Sequence, residues 1–254
     1  MSLFISFEGG EGSGKSTQAE MLAQRLQRDG AWSMLVREPG STPLGWYLRD
    51  WLKRQDRKER TISHGAELFL FAAARAEFVS KVLRPALDEQ NRVIIADRYA
   101  DSTTAYQGYG RRLPLTEVAI INRIASQDLM PELTFLLDCP PEEALRRVGS
   151  VQIRLPLDPS DASLSGRADE EGTRFEEESL DFHRRVRSGY LELARQEPDR
   201  WCVIDAARPV EEIGDIVWDR VRSAMSEGAG PDDRQAAPDL PLWTGDASPD
   251  PGAG

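Results

Sequence analysis

The chain has 254 residues, 43 of them acidic and 32 basic, for a formal net charge of −11 with its histidines neutral. That balance argues against wholesale binding to a nucleic-acid backbone or an anionic membrane. The two cysteines, Cys139 and Cys202, are too few for a disulfide framework, and the isolated His64 and His183 do not suit a zinc site.

Leu3–Glu8 (LFISFE) predicts a short buried strand, with no basic n-region of a secretory signal before it. A glycine-rich turn follows, then a helical pattern from Lys15 to about Arg28. Met34–Val36, Val93–Asp97, Leu133–Asp138 and Trp201–Asp205 read as four further strands, with helices expected over Ala66–Leu83, Leu115–Ser126, Glu142–Val148, Phe175–Gln196 and Val210–Met225. Pro141 and Gly149 punctuate the third of these helices, and Pro209 precedes the last. The strands are near-continuous apolar runs, as expected of strands covered on both faces, so the pattern predicts an α/β fold with a doubly wound parallel sheet of about five strands. No run approaches the ~18 apolar residues of a membrane span, and the expected location is cytoplasmic.

Two segments break the rhythm. Ser150–Thr173 is polar and contains Arg154 and Arg167; a connection of that length is either a functional lid or a disordered insertion. Ser226–Gly254 holds 10 Pro plus Gly in 29 residues and six acids against one arginine, so it reads as a solvated, disordered tail. The expected organisation is one domain over residues 1–225, with a lid at about 150–174, and a tail over 226–254.

Gly9-Gly10-Glu11-Gly12-Ser13-Gly14-Lys15-Ser16 matches the P-loop pattern between a strand and a helix. The glycines permit the tight turn and leave backbone N–H groups open to phosphate oxygens, and the helix start adds unsatisfied donors. Lys15 would place its charge on the terminal phosphates, the Ser16 hydroxyl would hold Mg2+, and Thr17 continues the ATP-binding segment. At average residue usage a chance match in this length is on the order of one in a hundred.

The cradle does not name the acceptor. Val93–Asp97 ends in Asp97-Arg98-Tyr99, and ligands of such sheets gather at the carboxyl ends of the strands. Asp97 is positioned for magnesium or its water. Arg98 is either a bidentate phosphate clamp or half of an internal ion pair with that Asp.

The run Ile95-Ala96-Asp97-Arg98-Tyr99-Ala100-Asp101-Ser102-Thr103-Thr104-Ala105-Tyr106-Gln107 resembles the signature of thymidylate kinases. Arg37-Glu38-Pro39-Gly40 resembles that family's second motif and Phe71-Ala72-Ala73-Ala74-Arg75 its base-binding helix; with the P-loop, the likeness spans about residues 3–222. The resemblance implies a P-loop kinase fold with a five-stranded parallel sheet. It also implies phosphorylation of dTMP to dTDP by Mg-ATP in dTTP synthesis, and a homodimer. Phe71 and Arg75, four apart on one helical face, would stack on thymine and donate to its O4. Thr103, with Ser102 beside it, would face N3; Tyr106 would crowd a ribose 2′-hydroxyl, with Gln107 close by. Arg37 and Arg98 would clamp the acceptor phosphate, and Glu11 would accept from the 3′-hydroxyl. With no arginine in the P-loop, the catalytic arginine is expected from the lid, at Arg167 or Arg174, with Arg154 and Arg147 behind them. An acceptor phosphate is already anionic near neutral pH, its second pKa being about 6, so Asp97 need not act as a base.

Two other readings are open: a kinase of deoxynucleosides or other monophosphates, and a P-loop switch or assembly ATPase acting through protein contacts. A nucleoside acceptor would need a carboxylate base, and Arg37 with Arg98 favours a monophosphate. The missing guanine-reading N-K-x-D motif counts against a GTPase.

Overall fold

A computed structural model describes residues 2–53, 62–153, 175 and 178–228. Five parallel strands, β1 (Leu3–Glu8), β2 (Ser33–Arg37), β3 (Val93–Asp97), β4 (Leu133–Asp138) and β5 (Trp201–Asp205), form one sheet in the order β2-β3-β1-β4-β5. β1 pairs with β3 on one side and β4 on the other. The chain leaves β1 toward the β2 side and leaves β3 toward the β4 side, so a crevice opens at the carboxyl ends of these two neighbours.

The period-two alternation of β1 explains why both sheet faces are covered. Leu3, Ile5 and Phe7 pack with Leu22 and Leu26 of α1 (Lys15–Arg28) and with Ile213, Val217 and Trp218 of α9 (Val210–Gly228). Phe4 points the other way, into a cluster with Ile94, Phe78, Leu83 and Tyr99. Phe4 and Phe7 are wholly buried, and each such side chain is worth roughly 1.5–3 kcal/mol of apolar transfer.

Several helices depart from the sequence expectation. α2 (Pro43–Lys53) was not expected, yet Thr42 Oγ1 caps it by accepting from Gly45 N at 3.0 Å, with Pro43 as its first residue. α3 (His64–Phe78) starts two residues early because Ser63 Oγ accepts from Ala66 N. It runs through a π-helical turn (Val79–Leu83) into α4 (Arg84–Asp88). A second unforeseen helical stretch, α5 (Ala100–Thr103) and a π-helical turn (Thr104–Gly110), leads toward α6 (Leu115–Ser126). α7 (Pro141–Ile153) passes through Gly149, a residue that costs a helix interior about 1 kcal/mol without ending it. α8 (Leu180–Gln196) begins five residues later than expected, capped by Ser179 Oγ on Phe182 N. α9 continues to Gly228, so the first residues assigned to the tail are helical. No helix among the described residues is long and apolar enough to cross a membrane.

Candidate active site

β1 delivers the glycine loop to the carboxyl edge of the sheet. A Cβ at Gly9 (φ +140°) would lie 2.6 Å from the Leu137 carbonyl oxygen and 2.9 Å from Ser13 Oγ, so the loop rests on β4 because this position is glycine. Gly12 turns in the left-handed region, and Gly14 does so as the N-cap of α1, whose first turn carries no acid to offset its positive end. Lys15 is buried and donates from Nζ to the Gly10 carbonyl at 2.6 Å, with Ser13 Oγ 3.4 Å away. Burial first, then repulsion from Arg98, brings its pKa down to about 8, so it keeps its charge at neutral pH. Thr17 lies exposed in the first turn of α1.

Asp97, at the tip of β3, is the hinge between the two halves of the site. Its Oδ2 accepts from Ser16 Oγ at 2.6 Å and from Arg37 Nε at 3.1 Å. Burial alone would raise its pKa, but Arg37 and Lys15 outweigh that and hold the carboxyl below its ordinary value. A hydroxyl and a carboxylate oxygen therefore converge. Among the described residues there is no cluster of three or more His, Cys, Asp or Glu side chains able to cage a metal. That donor set suits Mg2+, which takes one or two protein oxygens and completes its shell with water and phosphate. Arg37 commits only Nε to Asp97. Its backbone N–H donates to Ser41 Oγ, which donates back to the Arg37 carbonyl and so ties down the turn after β2. A cavity of about 250 Å3 opens beside Ser16 and Asp97, lined by Arg37, Ser41, Trp46 and Arg49.

Arg98 follows with φ +73°, a left-handed conformation costly for a side-chain-bearing residue and offset here by a dense set of contacts. Nη1 lies 3.1 Å from the Gly9 carbonyl, 3.2 Å from Ser102 Oγ and 3.3 Å from the Tyr190 hydroxyl. Nη2 donates to Glu11 Oε1 at 2.7 Å and to the Tyr106 hydroxyl at 3.1 Å; that hydroxyl donates to the same Glu11 oxygen at 2.8 Å. The acid in a phosphate loop is thereby accounted for. Burial would raise the Glu11 pKa, but Arg98, then Lys15 and the Tyr106 hydrogen bond, lower it to about 2. The ion pair expected between Arg98 and Asp97 does not form: Arg98 pairs with Glu11 instead, and Asp97 pairs with Arg37.

The expected base pocket lies beyond this network. Arg75 is 1% exposed; Nη1 donates to Asn122 Oδ1 at 2.7 Å and Nη2 to Thr103 Oγ1 at 2.8 Å. Glu38 Oε1 sits 2.7 Å from Nη2 as an ion pair, though outside hydrogen-bond alignment, and Arg75 Nε is buried without a hydrogen-bond partner. Phe71, half-buried one turn earlier, packs 6.1 Å from the ring of Phe175, which in turn meets Tyr106 at 5.1 Å. Gln107 points to a neighbour: its amide donates to the buried Glu67 at 2.9 Å, and Arg111 donates to the same carboxylate.

The structure thus gathers Glu11, Lys15, Ser16, Arg37, Asp97, Arg98, Ser102 and Tyr106 around the carboxyl ends of β1 and β3, with Arg75, Phe71 and Thr103 adjoining. Arg154, Arg167 and Arg174 lie outside the described residues. Arg147 pairs with Glu143 on its own helix. Sequence reading passed over Glu8, Glu38, Asn122 and Tyr190. Glu8 carried a legible signal, a carboxylate closing a largely apolar strand; Tyr190, 92 residues from Arg98, carried none.

A P-loop joined edge to edge with a second arginine-lined pocket defines a P-loop nucleotide phosphotransferase. The sequence pattern of the thymidylate kinase family matches residues 7–216. The chain is similar to the thymidylate kinase of Syntrophotalea carbinolica, at 44% identity over 91% of this chain and 100% of that one. It is similar also to that of Chlorobaculum tepidum, at 46% identity over 83% and 92%. The crystal structure of thymidylate kinase from Ehrlichia chaffeensis superposes with a TM-score of 0.61 at 28% identity, covering 88% of this chain and 98% of the other. The chain belongs to the thymidylate kinase family.

Proposed function

We propose that the chain transfers the γ-phosphoryl group of Mg-ATP to dTMP, giving dTDP, with the residues above in the following roles. The reading is carried by one observation: Arg98, at the tip of β3, touches the P-loop at Gly9 and Glu11 with one guanidinium and the Ser102–Tyr106 segment with the same group. The donor and acceptor pockets therefore share a wall, as in-line transfer requires.

Gly9 to Thr17 bind the ATP phosphates, with Lys15 on the terminal ones. Ser16 and Asp97 would hold Mg2+, which would supply positive charge to offset that of the phosphates. Arg37 and Arg98 orient the acceptor phosphate, itself already anionic enough to attack, so Asp97 remains an ionised ligand and abstracts no proton. Phe71 stacks on thymine, Arg75 donates to O4, Thr103 faces N3 and Tyr106 leaves no space for a 2′-hydroxyl. Gln107 supports this wall through Glu67, and Glu11 meets the 3′-hydroxyl. The positive charge that balances the migrating group is assigned to Arg167 or Arg174.

Exposed Tyr47 of α2, Phe69 of α3, and Ile120 and Ile124 of α6 lie on helices that pack side by side, and this apolar face supports a homodimer. A panel of nucleosides and nucleotides with ATP tests the assignment. dTMP is expected as the best acceptor and dUMP as a poorer one; preference for free thymidine, or ATP turnover indifferent to every acceptor, would overturn it.

A further inference from the structure

Glu8 has no task in the transfer, yet it is wholly buried at the end of β1, one residue before the P-loop. A buried carboxylate needs donors, and three elements supply them: Tyr99 N donates to Oε1 at 2.8 Å, while Ser102 Oγ at 2.6 Å and the Tyr190 hydroxyl of α8 at 2.9 Å donate to Oε2. The two hydroxyl oxygens lie 2.8 Å from each other. Oε2, Oγ and the phenolic oxygen thus form a triangle, and both of its hydroxyl corners receive Nη1 of Arg98.

A carboxylate kept only for packing would not explain why its satisfiers are the oxygens that hold Arg98. Counting hydrogens sharpens the point. Two hydroxyl hydrogens cannot serve three oxygen–oxygen contacts; with a proton on Glu8 donated to one hydroxyl, that hydroxyl turns its own hydrogen to the other and all three are served. Burial, with the charge of Asp101 next, raises the Glu8 pKa to about 7 against the opposing Ser102 and Arg98, so that proton is accessible near neutrality. The charged groups facing Glu8 are Asp101, itself paired with Arg200, together with Arg98 and Lys15. When neutral, Glu8 can orient the guanidinium without cancelling charge that a phosphate needs, whereas Glu11 already neutralises the other side.

We propose that Glu8 and Tyr190 are positioning residues of the acceptor-phosphate clamp: with Ser102 they form a buried oxygen triangle that receives Nη1 of Arg98 while Glu11 and Tyr106 hold Nη2, fixing the plane of the guanidinium. This rests on the reading of Arg98 as a phosphate clamp. The test compares Glu8→Met, which retains volume but removes both oxygens, and Tyr190→Phe with the parent enzyme, measuring KM for dTMP, KM for ATP, and the inhibition constant of thymidine, which offers base and sugar without the phosphate. Losing one corner of the triangle, about one ordinary hydrogen bond, should raise the dTMP KM about five- to tenfold while the ATP KM and the thymidine constant stay within about twofold. A dTMP KM within about twofold of the parent in either folded variant, or a thymidine constant rising in step with it, overturns the proposal. If Glu8→Met does not fold, Tyr190→Phe decides alone. Arg98→Ala separates the two levels. A large rise in its dTMP KM beside unchanged Glu8 and Tyr190 variants defeats the triangle and spares the clamp, whereas an unchanged value defeats both.

Discussion

Arg75 is where the structure makes the most exposed quantitative claim. Its guanidinium is almost completely buried, and so is Glu38 at 4% exposure, with 2.7 Å between Nη2 and Oε1. Replacing Arg75 with Met retains much of the volume but strands that carboxylate, whose Oε2 has no hydrogen-bond partner as it is. Removing one partner of a buried pair costs about 3–5 kcal/mol, about a fifth or more of the stability of an ordinary domain. Converting the orphan to an amide by Glu38→Gln should return about 2 kcal/mol of that in the double variant. The pH dependence follows from linkage. Burial already holds the Glu38 carboxyl above its ordinary pKa despite the opposing Arg75, and without Arg75 it climbs further. A carboxyl whose folded pKa exceeds its unfolded one favours the folded state at low pH and loses that advantage as pH rises through the folded value. The deficit of Arg75→Met should therefore be larger at pH 8 than at pH 5.5, and the double variant should lack the difference. Urea unfolding of the four proteins at both pH values measures this. A deficit below about 1 kcal/mol at pH 8, or one equal at the two pH values, would refute the argument. In the double variant the dTMP KM should remain high and the ATP KM normal, since the donor proposed to read the base is still missing.

Three further outcomes are expected. Gly9→Ala must push against the Leu137 carbonyl in a left-handed conformation, so it should lower Tm and raise the ATP KM; a parent-like Tm would show that the loop has slack. Glu11, held at about 2 against an ordinary 4.5, contributes stability that is fully present above pH 4.5 and lost as pH falls toward 2. Glu11→Gln should accordingly be less stable than the parent at pH 7, with the gap closing over that acidic window in thermal melts. Ile124→Glu places a charge on the 70% exposed residue of the apolar face and should shift sedimentation from dimer to monomer; an unchanged dimer would move the interface elsewhere.

The donor half of the site was legible because its chemistry is local. A glycine loop between an apolar strand and a helix builds a phosphate cradle from consecutive residues, and Gly9, Lys15 and Ser16 stand where the pattern puts them. α2 was missed although Thr42-Pro43 is an ordinary helix opening and Leu44, Leu48, Trp51 and Leu52 keep the helical spacing, whereas the stretch from Ala100 was missed because polar residues of the site interrupt the apolar period. The end of α7 was misjudged since one glycine weakens a helix by less than its neighbours support it.

By itself, then, the order of residues determined five strands and the phosphate loop, since each follows from periodicity or from spacing within a dozen positions, and the family resemblance singled out Arg37 and Arg98. Only the folded chain decided what those arginines hold. Arg37 meets Asp97 across 60 residues, Arg98 meets Glu11 across 87 and Tyr190 across 92, and Glu8 meets Tyr190 across 182. Such partners are chosen by burial. A charge taken out of water must find its complement wherever the topology brings one, and crossing strands bring residues together regardless of their distance along the chain.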